Sequence, residues 1–124
     1  MKAFSDLEQS KKLAEILPIE SADMYWWSSG KRYYIEAMDD GDFNEEEGHI
    51  RAWSLAALIN IIPQELFDGE YIINITEGID NKWIITYDHY ENRNHSFYGL
   101  STGADNLVDA CYEMIIKLHE QNLL

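Results

Sequence analysis

Carboxylates are concentrated in residues 39–49, DDGDFNEEEGH, a segment with two glycines and no apolar periodicity. Asp40, Asp42 and Asn44 have the spacing of the first three ligands in a calcium-binding EF-hand loop. An EF-hand also needs glycine at its sixth position and glutamate at its twelfth, where this sequence has glutamate and arginine, so an EF-hand is excluded. Two interpretations stay open: an irregular hard-cation site with these three residues as its candidate ligands, or a solvated, mobile loop. We favour the loop, the usual outcome for a run of like charges, and predict no metal site.

The four histidines do not have the HExxH or Cys-rich spacing of a zinc site. His89 and His95 flank a predicted turn, and we expect them to approach each other across a hairpin. A metal site or an acid–base pair there needs a third convergent group, which the sequence does not place. We therefore predict a surface pair without chemistry of its own.

The chain has no P-loop pattern, and its GxSxG and SxxK spacings, at residues 99–103 and 28–31, are short matches that do not by themselves predict a nucleophile. Residues 99–103, GLSTG, put glycines ahead of a helix N-terminus, which can bind an anion. No lysine follows, so we interpret them as a strand-to-helix turn with a threonine cap. Cys111, the only cysteine, lies on the apolar side of the predicted last helix, where a small buried hydrophobic side chain is expected. The sequence names no catalytic residue and no cofactor, and we expect a protein without enzymatic activity.

Two predicted strands, 24–27 and 31–38, flank a turn at 28–30 and carry five large aromatic side chains, Tyr25, Trp26, Trp27, Tyr33 and Tyr34. Alternation along the strands sends neighbouring side chains to opposite faces, so one aromatic face meets the core and the other needs a different cover. Rigid aromatic side chains supply much of the binding energy at protein interfaces. The five are therefore the candidate partner-binding residues; the alternative is that they are core. We expect two or three of them to be buried, and whether at least two are exposed stays open.

A helix with one apolar side is predicted over residues 105–121. That side is formed by Leu107, Val108, Cys111, Met114, Ile115 and Leu118. Thr102 or Asp105 is the expected N-cap. The helix needs a sheet to cover it, and three strands precede it at 71–76, 82–90 and 95–100. The short turns between these strands predict an antiparallel meander.

Two more helices are predicted upstream. One begins at a capping box on Ser5 and ends near Pro18, whose ring cannot continue it. The other covers 51–63 with Ser54 as N-cap and is expected to be buried nearly all round. The predicted fold is a single α+β domain, 1–124. Its antiparallel sheet combines the N-terminal hairpin and the three-stranded meander, with about three helices packed on one face.

Charge is the most unusual bulk property of these 124 residues. Asp and Glu number 23 against nine Lys and Arg, a formal net charge of −14 at pH 7. Such a surface repels nucleic acid and anionic lipid, so we expect no direct binding to either and predict a basic protein partner. No segment approaches the roughly 20 apolar residues of a membrane span and no secretion signal is visible, so a cytoplasmic location is expected. An unpaired strand edge also makes a homodimer an expected assembly.

Three stretches carry a resemblance: LPIESADMYW at 17–26, WSLAAL followed by Pro63, and VDACYEMIIKLHEQNLL at the C-terminal end. They resemble motifs in small uncharacterised proteins of bacterial prophages and mobile elements. The resemblance implies a phage accessory or host-interaction protein, and it implies no catalytic residue.

The first hypothesis is thus a non-enzymatic protein that binds another protein in a phage or mobile-element setting. One alternative is an acidic mimic of DNA, or an immunity-type inhibitor, that blocks a DNA-binding protein or toxin. It requires carboxylates in rows at phosphate-like spacing. The other alternative is a metal-dependent protein that uses residues 39–49 with His89 or His95.

Overall fold

The computed structural model describes residues 2–39 and 41–124, without the side chain of Tyr98. Within these residues the elements are α1 (Leu7–Ile16), β1 (Met24–Ser29), β2 (Arg32–Ala37), β3 (Ile50–Ala52), α2 (Leu55–Ile61), β4 (Glu65–Leu66), β5 (Tyr71–Glu77), β6 (Trp83–His89), β7 (Ser96–Ala104) and α3 (Leu107–Glu120), with 3-10 turns at Ile19–Ser21 and Glu45–Glu47. The α+β class with antiparallel strands is confirmed, and the hairpin and the meander lie in separate sheets.

Contacts divide the chain into two compact units, Ala3–Ala57 and Leu58–Leu124 with Lys2, and the boundary falls inside α2. The expectation of one domain over 1–124 stays a prediction. Across the described residues, no helix has the length and apolar character needed to traverse a lipid bilayer.

The first unit contains a sheet with the strand order β2-β1-β3. Strands β1 and β2 form the predicted hairpin, whose two-residue turn starts at Gly30 with a φ of +66°. Strand β3 pairs with the other side of β1, with Tyr25 opposite Arg51. The prediction of a helix from residue 51 is therefore wrong for its first residues, because the backbone there completes the pairing of the central strand. Helix α2 starts after the predicted N-cap, since the Ala57 backbone N–H donates to Ser54 Oγ at 3.2 Å.

The N-cap of helix α1 is Asp6, one residue after the predicted cap, Ser5. The Asp6 carboxylate accepts from the Gln9 backbone N–H at 2.9 Å, and the Gln9 side chain accepts from the Asp6 N–H at 3.1 Å. Ser5 is displaced from this role because its backbone N–H pairs with the Trp53 carbonyl at 2.8 Å. The helix ends at Ile16, ahead of Pro18 as predicted, and packs against β3.

The second unit contains the predicted meander, in the order β4-β5-β6-β7. Helix α3 packs on β6 and β7 and buries Val108, Ala110, Cys111, Met114, Ile115 and Leu118. Its N-cap is Asn106, whose side chain accepts from the Asp109 backbone N–H at 2.9 Å, and neither Thr102 nor Asp105 fills that role. Thr102 instead lies in β7 and donates its hydroxyl to the Ala110 carbonyl at 3.1 Å.

Two predictions about these segments need correction. Residues 99–103 are strand, since β7 continues to Ala104. Helix α2 is not buried all round: Leu58 and Ile62 are buried, whereas Ile59 is 40% exposed. A run of apolar residues predicts a helix but does not say how many of its sides are covered.

Candidate functional site

The candidate site is the aromatic hairpin of the first unit. Trp27 lies directly opposite Tyr34, and Ser28 lies opposite Tyr33. Directly opposed residues share a face, so Tyr25, Trp27 and Tyr34 lie on one face of the sheet, and Trp26 and Tyr33 on the other. This is the division that alternation predicts.

Burial separates the five aromatic side chains into three groups. Tyr33 is 47% exposed and Tyr34 is 41% exposed, so two of the five are exposed, a point that the sequence left open. Trp26 and Trp27 are half-buried. Tyr25 is 3% exposed, so it supports the surface from beneath and does not form part of it.

Tyr25 is covered by Phe43 and His49 of segment 39–49, which was predicted to be a solvated loop and is called the acidic loop below. His49 stacks on its ring with centroids 5.0 Å apart, and Phe43 meets it edge-on at 5.7 Å. The Tyr25 hydroxyl donates to Glu36 Oε2 at 3.0 Å. Burial, and then the neighbouring Glu36 carboxylate, raise the pKa of Tyr25. The aromatic residues of the acidic loop therefore belong to the local core.

The acidic loop is also held through its backbone. The Asn44 backbone N–H donates to His49 Nδ1 at 3.0 Å, and the Asn44 side chain accepts from the Glu46 N–H at 2.9 Å. Arg51 Nε donates to Glu45 Oε1 at 2.6 Å. Asn44 thus caps the turn Glu45–Glu47, a structural role for one of the three candidate ligands.

A metal site at this loop gains no geometric support. Asp40 lies outside the described residues. Within residues 2–39 and 41–124, no group of three or more His, Cys, Asp or Glu side chains is placed to hold a metal ion.

Trp26 is tied into the interior on its own face. Its indole Nε1 donates to the Ser5 carbonyl at 3.2 Å, and Phe4 meets its ring edge-on at 5.7 Å. The polar atom of this tryptophan is thereby satisfied, and only part of its ring reaches the surface.

Trp27 and Tyr34 form a stacked pair with ring centroids 4.7 Å apart and an interplanar angle of 26°. The Trp27 Nε1 atom is inaccessible, and no acceptor lies within hydrogen-bond reach among the described residues. A buried donor without an acceptor costs about 1–3 kcal/mol. The pair therefore combines exposed ring area with an unsatisfied donor.

In the second unit His89 and His95 do approach across the hairpin, with ring centroids 6.4 Å apart. The ring centroid of Tyr71 lies 5.4 Å from that of His89, and Glu70 Oε1 lies 3.9 Å from His89 Nε2. Glu70 thus lies beside His89, but the two histidines and Glu70 are not placed to hold a metal ion. His89 Nδ1 accepts from the Glu91 backbone N–H at 3.2 Å, so that nitrogen stabilises the turn.

Asp88 is a carboxylate that is only 5% exposed, and it was not among the candidate residues predicted from the sequence. It accepts from Asn74 Nδ2 at 3.0 Å, Thr86 Oγ1 at 2.9 Å and Ser96 Oγ at 2.8 Å. These donors come from β5, β6 and β7, so the carboxylate links three strands of the sheet. Asn74, Thr86 and Asp88 share one face of the sheet by alternation, and this pattern could have predicted the cluster.

Cys111 is fully buried, as predicted, and burial raises the pKa of its thiol to about 12. A thiol with that pKa is protonated at neutral pH and is a weak nucleophile.

Comparison of the chain with family models, with curated proteins and with solved structures finds no match. The resemblance to prophage proteins therefore stays a prediction.

Proposed function

We propose that this chain is a non-enzymatic protein that binds another protein through the exposed end of its aromatic hairpin. The binding surface is Trp27 and Tyr34 on one face of the hairpin, called the hairpin surface below, with Tyr33 exposed beside them on the opposite face. The observation that carries the proposal is the exposure of Tyr33 and Tyr34, 47% and 41%, on adjacent positions of one strand.

The energetics of interfaces support this surface. Tyr and Trp bury large areas with few rotatable bonds, so they lose little conformational entropy on binding. Two other reactive groups are held by structural contacts: Asp88 by three hydrogen bonds and the Cys111 thiol by the core.

The charge indicates the kind of partner. The net charge is −14, and strand β2 leads directly into the acidic segment 39–49. A basic partner gains both association rate and orientation from such a field. The proposed setting, a bacterial cytoplasm in which a phage or mobile element expresses the chain, rests on the sequence resemblance and on the composition.

Crosslinking capture from a bacterial lysate tests the proposal, with each bound protein quantified against the wild type. The test variant is Tyr33→Ser with Tyr34→Ser. The matched control is Tyr90→Ser, because Tyr90 is 52% exposed and lies in the second unit. We expect a basic protein that the wild type and the control retain and the double variant loses, with weaker retention at higher salt. A capture profile that is the same for all three proteins contradicts the proposal.

A further inference from the structure

The two sheets differ in how their outer strands are covered. Strand β7 is an outer strand of the four-stranded sheet, and α3 lies along it: Lys117 Nζ donates to the Ser101 carbonyl at 2.8 Å and Gln121 Nε2 to the Gly99 carbonyl at 3.3 Å. Strand β2 is an outer strand of the three-stranded sheet, and within the described residues it pairs with β1 alone. An uncovered outer strand is a template for pairing with another chain.

The direction of the β2 backbone groups follows from the register. The Met38 backbone N–H donates to the Asp23 carbonyl at 2.9 Å, just beyond the paired ends of β2 and β1. Antiparallel pairs alternate between bonded and non-bonded residues, so the even-numbered residues of β2 face β1 with their backbone groups. The N–H and C=O groups of Tyr33, Ile35 and Ala37 therefore point away from the sheet.

We propose that β2 pairs with β2 of a second copy of this chain, antiparallel about a two-fold axis at Tyr34. In this arrangement Arg32 lies opposite Glu36 of the other copy, Tyr33 lies opposite Ile35, and the two Tyr34 residues face each other. A second copy fits the free edge because residues 32–36, RYYIE, have a positive charge at one end and a negative charge at the other. Antiparallel pairing of two such strands puts opposite charges together at both ends.

Backbone geometry agrees with this axis. Tyr33 and Ile35 both point their backbone groups outward, so each Tyr33–Ile35 pair exchanges two N–H···O bonds and the interface contains four. Tyr34 falls at a non-bonded pair, where opposed side chains approach most closely. With the two-fold axis at Tyr33, Glu36 lies opposite Gly30 of the other copy. With the axis at Ile35, it lies opposite Tyr34. Both alternatives lose the two Arg32–Glu36 ion pairs.

The side chains are already disposed for the contact. Arg32, Tyr34 and Glu36 share the face of Trp27. The Tyr25 hydroxyl donates to Glu36 Oε2, which orients that carboxylate and leaves its other oxygen for an arginine. Pairing joins two hairpin surfaces into one row of rings, Trp27–Tyr34–Tyr34–Trp27, whose face stays open to a further protein. The inference goes beyond the proposed function and does not depend on it.

Charge reversal is the first test, read as the molecular mass in solution by sedimentation over a range of concentrations. The wild type is expected to dimerise. In the Arg32→Glu variant, positions 32 and 36 put two carboxylates opposite each other across the dimer, and in the Glu36→Arg variant they put two guanidinium groups opposite each other. Each variant is therefore expected to dimerise about tenfold or more weakly than the wild type. An equimolar mixture of the two variants restores opposite charges at both positions, so it is expected to form a heterodimer.

A monomeric wild type, or single variants that dimerise like the wild type, would overturn the proposal, and so would a mixture that stays monomeric. The Arg32→Glu variant keeps Tyr33 and Tyr34, so capture of a partner by this monomer separates the proposed function from dimerisation.

Symmetric crosslinking is the second test and reports the register. A Tyr34→Cys variant places two thiols at a non-bonded pair with Cα atoms about 4.5 Å apart, within reach of a disulfide. Under mild oxidation it is expected to form a covalent dimer. The matched control is Tyr33→Cys, equally exposed but opposite Ile35, which is expected to stay uncrosslinked; crosslinking of the control alone would overturn the register.

Discussion

Replacement of Ser5 by alanine tests how the first unit is held together. Ser5 is fully buried. Its Oγ accepts from the Trp53 backbone N–H at 3.0 Å and lies 2.8 Å from Ser10 Oγ. Ser5→Ala leaves the buried Trp53 N–H without an acceptor, and an orphaned buried group costs about 1–3 kcal/mol. We expect a loss of about 2 kcal/mol in the free energy of unfolding, within that range.

The matched variant is Asp6→Ala, which removes the N-cap of α1 and costs about 1 kcal/mol. Urea unfolding followed by tryptophan fluorescence measures both, because Trp26, Trp27 and Trp53 lie in the same unit. We expect Ser5→Ala to lose more stability than Asp6→Ala, with the denaturant slope unchanged. Ser5→Ala with Ser10→Ala should cost less than the sum of the single changes, since the two hydroxyls contact each other.

Two results would refute this reasoning. If Asp6→Ala were neutral while Ser5→Ala cost about 1 kcal/mol, Ser5 would be the cap, as its spacing predicts. If Ser5→Ala stayed within about 0.5 kcal/mol of the wild type, the range of an ordinary surface change, the buried hydrogen bond to Trp53 would be refuted.

Three further changes test the second unit by urea unfolding. Asn106→Ala removes the N-cap of α3 and should cost about 1 kcal/mol; a neutral result would argue for a different cap. Leu118→Ala empties a fully buried position on that helix and should cost about 2–5 kcal/mol, whereas Ile79→Ala, at a fully exposed position, should cost almost nothing. Burial raises the pKa of Cys111 from 9.0 to about 12, so the folded state holds its proton where the unfolded chain releases it, and stability falls as pH rises through that interval. Between about pH 9 and pH 10 the wild type should therefore lose up to about 1.4 kcal/mol more than Cys111→Ala, and equal losses would contradict the buried thiol.

Local patterns predicted the parts of the fold that local physics decides. The helical spacing of four apolar residues predicted α3, because a helix needs an apolar side to pack against any surface. The four are Val108, Cys111, Ile115 and Leu118. The short turns between the last strands predicted the meander. The predictions that were wrong depend on contacts distant in sequence. Strand β3 forms because β1 needs a second partner, and β7 extends through Thr102, whose hydroxyl finds its acceptor on α3.

The candidate site was predictable in its residues and not in their exposure. Alternation alone sends one of Tyr33 and Tyr34 toward a core, yet both are exposed. Tyr25 is buried because Phe43 and His49 cover it, and neither residue lies in a periodic pattern. A sequence shows which side chains share a face, whereas the cover on that face is set by where a distant loop folds.

The length of β3 explains why the hairpin surface is open. Strand β3 pairs only with Met24, Tyr25 and Trp26 within the described residues, so the hairpin continues past it as two strands. A two-stranded ribbon is marginally stable in water by itself, and it gains from any strand added to its edge. The overhanging end, 27–29 with 32–34, is where Tyr33 and Tyr34 are exposed, and Arg32 lies on it as well. The short third strand thus leaves the end of the hairpin uncovered, whereas the free edge of β2 exists because β3 pairs with the opposite side of β1. One added β2 strand satisfies that edge and leaves the hairpin surface open to a partner.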